Sequence, residues 1–316
     1  MKHGGVRSRR GSVKILITGS TGLLGQALVA SLSPAHEVVG LSRHALSAGA
    51  ASPRHRHLVV DLQDGDATRR LVQELDPDLI VHTQALSDVD RCEREPEDAR
   101  AQNVATTERL VKALQGRQAR LIHMSTDYVF DGAKGMPYDE NDLPHPLSVY
   151  GMTKLDAERA ALRHQRAIIV RTSTLYGQAR SNFCDSIIAT MRGGQSVGAF
   201  TDQVTSPSWV EDLAQGLGEL GLALWHRQDG TWPRVVHLTN AGACSRVAFA
   251  DRVATLLGMS PALVRRISIA EQKLPAPRPA YSALASIHLP QLIGRRLRPW
   301  DQALQAYLQQ HHQLVG

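Results

Sequence analysis

The sequence is poor in cysteine and in aromatic residues and has only one long uncharged run, and each shortage narrows what the chain can be. Its three cysteines, Cys92, Cys184 and Cys244, are odd in number, far apart and without a CxxC pair. That excludes a disulfide framework and a cysteine zinc site and fits a reducing, cytoplasmic setting, with Cys184 expected as a packed small apolar residue. Aromatics amount to 4%, too few to interleave with a basic stripe, so no nucleic-acid partner is expected although 36 Lys and Arg against 30 Asp and Glu leave a net charge of +6. The longest uncharged stretch, Ile15 to Ala35, contains Thr18, Ser20, Thr21, Gln26, Ser31, Ser33, Pro34 and three glycines, and it reads as strand, turn and helix, not as a membrane span. Met1 to Ser12 carries Lys2, Arg7, Arg9 and Arg10 with no apolar stretch before Val13, so residues 1–12 read as a flexible basic tail and not as a secretory signal. His55 and His57 flank Arg56, and His311 and His312 lie near the end without matching carboxylates, so no metal is expected.

What remains is ordinary globular usage, 42% hydrophobic and 21% charged, over 316 residues, which suggests about two domains or one α/β unit with an appendage. Short β-branched runs at Val13–Thr18, Glu37–Leu41, His57–Val60, Leu79–Thr83, Leu121–Met124 and Ile168–Arg171 alternate with helical periods at Leu23–Leu32, Ala67–Leu75, Asp98–Leu114 and Tyr150–His164. The alternation predicts an α/β fold of Rossmann type, a doubly wound parallel sheet. After Arg171 the rhythm changes to helices near Phe183–Met191, Val210–Leu224, Arg246–Leu257 and Trp300–Gln309, with a Gly193–Gly194 turn and a strand at Val235–Leu238. Residues 13–172 are therefore expected to form a dinucleotide-binding domain, and 173–316 mainly a smaller, discontinuous C-terminal substrate lobe, with some segments returning to the first domain. Pro275, Pro277 and Pro279 mark an ordered loop between the two.

Thr18-Gly19-Ser20-Thr21-Gly22-Leu23-Leu24-Gly25 follows the first strand and opens a helix. Gly19 permits the tight turn, Gly22 lets backbone approach a pyrophosphate, and Gly25 lets helix and strand pack closely, while the helix N-terminus offers N–H donors. Gly19, Thr21, Gly22, Leu23, Leu24 and Gly25 are thus expected to wrap a dinucleotide. The second strand ends in Gly40-Leu41-Ser42-Arg43-His44, without an acid for a ribose 2′-hydroxyl. Arg43, beside the small Ser42, can pair with a 2′-phosphate, which favours NADPH over NADH. Asp61-Leu62, after the third strand, is placed to hold the adenine edge, although an aspartate there can equally cap a helix.

Tyr150-Gly151-Met152-Thr153-Lys154 sets a phenol and an ammonium four residues apart on one helix face. A phenol with a reference pKa of about 10 is a poor acid–base group near neutrality, and a nearby cation favours its phenolate. Lys154 can also bond a nicotinamide ribose. Ser125-Thr126-Asp127-Tyr128 follows an apolar strand, where a doubly wound sheet presents side chains at its carboxyl edge. The Thr126 hydroxyl can there bond a substrate carbonyl oxygen while Tyr150 delivers or removes the proton. Thr126, Tyr150 and Lys154 form the expected catalytic set.

On these residues the chain resembles the extended short-chain dehydrogenase/reductases, and within them the dTDP-4-dehydrorhamnose reductase group, from Val13 to about Leu304. The likeness rests on Thr18–Gly25, on Ser87-Asp88-Val89-Asp90 with Glu93 and Pro96, on His123–Gly132 and on Val149–Leu155. Later matches are Arg171-Thr172-Ser173, Asn182-Phe183, Asp202-Gln203 with Pro207, and Arg278-Pro279 with Ser282 and Leu284. The resemblance implies NADPH-dependent reduction of the 4-keto group of a deoxysugar nucleotide, in a homodimer by analogy. It implies Thr83, Gln84 and Ala85 beside the cofactor, and Ser87, Val89, Tyr128, Thr174 and Arg278 on the sugar side. Similar 4,6-dehydratases carry Thr-Asp-Glu, whose glutamate abstracts a proton; Tyr128 stands in its place here, so dehydration is disfavoured. Three departures bear on the sugar or cofactor side: Gln84 where a small residue is usual, Thr174 where a Trp tends to follow Arg-Thr-Ser, and Thr205 in place of a glycine. Two other readings stay open, another extended short-chain enzyme such as an epimerase or a different ketoreductase, and a non-catalytic NADP-binding regulatory subunit like that of methionine adenosyltransferase.

Overall fold

The computed structural model describes residues 12–45, 55–178, 180–227 and 232–312, so the expected tail lies outside the described residues except for Ser12. Seven parallel strands form the central sheet: β1 (Lys14–Thr18), β2 (Glu37–Ser42), β3 (His55–Val59), β4 (Leu79–His82), β5 (Arg120–Thr126), β6 (Ala167–Thr172) and β7 (Val235–His237), in the order β7-β6-β5-β4-β1-β2-β3. Alternate residues supply opposite faces, the period of two that a pleated strand imposes. Ile15, Ile17, Leu79, Val81, Ile122 and Ile168 pack towards the Leu23–Leu32 and Val210–His226 helices. Leu16, Val39, Leu41, Ile80, Leu121 and Ile169 pack towards the Gly65–Leu75, Thr106–Ala113 and Val149–Ala161 helices.

The expected strands and the Leu23–Leu32 helix stand where the periodicity put them, with ends shifted by one or two residues. Other elements differ. The strand expected at 235–238 extends the sheet as β7, because its short run of apolar residues finds an open edge on β6. The helix expected over Asp98–Leu114 starts at Pro96 and is interrupted by a π-turn at Ala101–Ala105 before it resumes at Thr106–Ala113. That turn aims Asn103 inward: its Oδ1 accepts from the Leu86 N–H at 2.7 Å, and its Nδ2 donates to the Leu86 carbonyl at 3.2 Å and to Thr153 Oγ1 at 3.1 Å. A wide turn of this kind commonly marks a functional site, and here it fastens the chain leaving β4 to the helix that carries Tyr150. A further short helix, Val89–Arg94, is too brief and too charged to show in the periodicity.

After β6 the chain is stitched by two- to four-residue pairings. Val197–Phe200 runs parallel to Val264–Ile267, and Val204–Thr205 runs antiparallel to Cys244–Ser245. An aromatic cluster of Tyr176, Phe183, Phe249 and Tyr307 packs in the core that also covers one face of the sheet, and Cys184 is fully buried there. Among the described residues, no helix is long and apolar enough to cross a membrane.

Candidate active site

The connections from β1 and β4 leave to opposite faces of the sheet, so they part beyond the paired strand ends and open a crevice. A cleft of about 1270 Å³ lies there, wide enough for a dinucleotide together with a second ligand. Its near wall is the turn after β1. Gly19 adopts φ +69°, and a Cβ on Gly25 would stand 2.2 Å from the Gly19 carbonyl oxygen and 2.7 Å from Ser20 Cα. Only glycine lets the helix start this close to the strand, which keeps its first N–H groups open to an anion.

The cleft gathers most of the expected site residues. Gly19, Thr21, Gly22, Leu23, Leu24, Gly25, Ser42, Arg43, Thr83, Gln84 and Ala85 line one part of it. Ser87, Val89, Thr126, Tyr128, Tyr150, Lys154 and Thr174 line the other. The buried Gln84 Nε2 has no partner among the described residues, a donor that a bound cofactor can satisfy. Three of the expected residues are not among those that line the cleft. The Asp61 carboxylate closes its own turn by accepting from the Gln63 N–H at 2.9 Å, and Asp64, not Asp61, caps the next helix. Leu62 is buried in the core. Arg278 is not among the lining residues, its Nη2 paired with Asp90 at 2.9 Å and its Nη1 donating to the Ala276 carbonyl at 2.9 Å, though its charge acts on both Tyr128 and Arg246.

Thr126 ends β5. Its hydroxyl donates to Asp127 Oδ1 at 3.1 Å and accepts from the Tyr128 N–H at 3.2 Å. The other Asp127 oxygen accepts from Ser173 at 2.7 Å and Ser282 at 2.5 Å. Burial pushes the Asp127 carboxyl up, against the pull of these three hydroxyls. Tyr150 and Lys154 lie one turn apart on the Val149–Ala161 helix, and Tyr150 meets Tyr128 edge to face at 5.7 Å between ring centres. Lys154 Nζ donates to the Met124 carbonyl at 2.6 Å, and burial pulls its pKa down to about 8, with Glu158 opposing. In the free protein burial pushes the Tyr150 phenol up, and the Thr126 side chain pulls the other way, so burial outweighs the cationic lowering expected from sequence.

Beneath Lys154, Glu158 accepts two bonds from Arg171, at 2.9 and 2.7 Å, and one from Ser125 at 2.6 Å. Tyr150, Lys154 and Glu158 share one helix face, so this buried pair sets the rotation of the helix and the aim of the two groups above it. His82 and His123, side by side on β4 and β5, are held neutral by burial, His82 down to about 3. Thr174 sits at φ +36°, an uncommon conformation for a β-branched residue and a strain of the sort that functional sites tolerate. Reading the sequence by motif missed Arg246, which lines the cleft from the first turn of the Arg246–Leu256 helix. Its signal was a cation at a helix N-terminus, where the peptide dipoles disfavour one.

The profile of the RmlD substrate binding domain matches residues 13–313. A dTDP-4-dehydrorhamnose reductase of Streptomyces griseus is 37% identical over 292 residues, 92% of this chain and 91% of the relative. A Streptomyces antibioticus protein named as a probable dTDP-4,6-dihydroxy-2-methyloxan-3-one 4-ketoreductase is 34% identical over 92% of each chain. The crystal structure of the Bacillus anthracis dTDP-4-dehydrorhamnose reductase, in complex with NADP, superposes with a TM-score of 0.82 at 28% identity and covers 95% of this chain and 99% of its own.

Proposed function

This chain belongs to the RmlD substrate binding domain family and is an NADP-dependent oxidoreductase, and from that premise we propose that it reduces the C4 ketone of a 4-keto-6-deoxysugar nucleotide such as dTDP-4-dehydrorhamnose. The observation that carries this reading is the meeting, in one cleft, of the glycine turn with Thr126, Tyr150 and Lys154, while Tyr128 holds the place where a dehydratase needs a free carboxylate. The neighbouring Asp127 is engaged by three hydroxyls and is not available as a base.

The residues of the glycine turn, with Ser42, Arg43 and Gln84, fit the cofactor, whose nicotinamide when bound supplies a hydride to C4. The Thr126 hydroxyl orients the ketone and steadies charge on its oxygen. Tyr150 gives that oxygen its proton, which completes the alcohol, and burial keeps the phenol protonated and ready to do so. Lys154 stabilises the phenolate left behind, for as long as the lysine is charged. Because burial sets that charge to disappear above about pH 8, kcat is expected to fall as pH rises through this value. A profile of kcat against pH that climbs there instead contradicts the role given to Lys154.

Arg43 is assigned to the 2′-phosphate. Arg43→Ala is expected to weaken NADPH binding about 10- to 100-fold and to leave NADH nearly unchanged, the cost of one charge-assisted contact, read by fluorescence titration of both cofactors. The division into a cofactor domain over 13–172 and a substrate lobe over 173–316, a homodimer, and a cytoplasmic location belong to the same reading.

The test is NADPH oxidation with a panel of 4-keto nucleotide sugars, the products identified by NMR. Turnover that yields a C4 alcohol supports the proposal. NADPH binding without turnover of any member overturns it in favour of a non-catalytic role. The panel also reads the sugar, since Thr174 offers little surface for stacking and the relatives are named for more than one ketosugar.

A further inference from the structure

We propose that Arg246 is a specificity residue that takes the sugar-proximal phosphate of the substrate's nucleoside diphosphate; the inference rests on the sugar-nucleotide reading above. The glycine turn accounts for one diphosphate, that of the cofactor. Arg246 belongs to the other lobe and faces the same cleft.

Its surroundings are those of a cation awaiting a partner. The Nε donates to Gln203 Oε1 at 3.1 Å, and the guanidinium stacks over the Phe183 ring at 4.5 Å. The Nη1 is buried and has no partner among the described residues. Asp127, which attracts Arg246 from a distance, is taken up by Thr126, Ser173 and Ser282. A guanidinium whose Nη1 is withdrawn from water, at the positive end of a helix and, among the described residues, with no carboxylate bonded to it, is unfavourable in the free protein. An anion entering the cleft relieves all three penalties at once, and a phosphate offers oxygens in the spacing that the guanidinium fork matches.

The placement identifies the phosphate. In a hexopyranose C1 lies across the ring from C4, so a sugar whose C4 meets Tyr150 and Thr126 directs its diphosphate away from them. Tyr128 stands beside Tyr150 with the Gln203 side chain near its hydroxyl, and Gln203 Oε1 accepts from Arg246. Arg246 is thus one side-chain layer beyond the ring, at the height of the phosphate attached to C1. Gln203 orients the guanidinium and Phe183 carries its flat face.

The experiment titrates the NADPH-loaded protein with dTDP and with dTMP by calorimetry, because only the former carries the phosphate in question. The unaltered chain is expected to prefer dTDP. Arg246→Met is expected to weaken dTDP about 30-fold and dTMP by less than about threefold, to raise KM for the sugar nucleotide by a similar factor as for dTDP, and to change kcat far less. Arg246→Lys, which keeps a charge but loses the fork, is expected to recover part of the preference. A preference for dTDP that survives Arg246→Met in protein with normal NADPH affinity overturns the inference while leaving the reductase reading intact. If Arg246→Met also loses NADPH binding, Arg246→Lys decides, and an unchanged dTDP preference there overturns it too. Binding of neither nucleotide by the unaltered chain overturns the sugar-nucleotide reading itself, and this inference with it.

Discussion

Replacing Tyr150 by phenylalanine is expected to lower kcat for ketone reduction by about 10³-fold, roughly 4 kcal/mol of barrier, while NADPH affinity stays within about twofold. The substitution removes one oxygen and keeps the ring, so the edge-to-face contact with Tyr128 at 5.7 Å survives and the cleft keeps its shape. What disappears is the proton donor assigned to the ketone oxygen, which shares a wall with Thr126 and Lys154. Stopped-flow measurement of NADPH oxidation under saturating substrate separates the loss from binding. If Tyr150→Phe keeps a tenth or more of kcat, the proton comes from elsewhere and the assignment of the phenol is wrong.

The second large effect concerns stability. Arg171→Met is expected to cost about 3–5 kcal/mol in urea unfolding, because it leaves the Glu158 carboxylate buried against β5 and β6 with only Ser125 to bond. Both side chains are almost fully buried, at 4% and 3% exposure, so solvent cannot make good the loss. Glu158→Leu introduced together with Arg171→Met removes the stranded charge and is expected to restore most of the stability. A single variant as stable as the parent would show that the pair is dispensable for holding the helix. The pair also sets activity indirectly, since the face that carries Glu158 carries Tyr150 and Lys154. The double variant is therefore expected to fold and yet turn over more slowly, which kcat at unchanged NADPH affinity reads.

Much of this protein is legible in one dimension. The doubly wound sheet follows from alternating periods of two and about 3.6, because a strand buried between helices and a helix lying on a sheet leave different repeats in the chain. The glycine turn, Ser42 and Arg43, the strand-end Thr126 and the Tyr150–Lys154 pair are equally local: each needs only a turn, a strand end or one helical repeat to take its place. The expected residues that do not line the cleft depend on what lies across space. Asp61 and Leu62 follow a strand as an adenine-binding pair would, but Leu62 is drawn into the core and Asp61 into its own turn. Arg278 is paired with Asp90, 188 residues earlier in sequence.

By itself, then, the sequence determined the fold class and put the glycine turn, Thr126 and the Tyr150–Lys154 pair forward as a site, because these arise from contacts within a few residues. Only the tertiary structure decided that Val235–His237 closes the sheet edge, that Glu158 and Arg171 fix the helix carrying Tyr150 and Lys154, that burial pushes the Tyr150 phenol up, and that Arg246 faces the cleft. Burial, charge compensation and the filling of a sheet edge are properties of neighbours brought together from distant parts of the chain, and no local pattern encodes them.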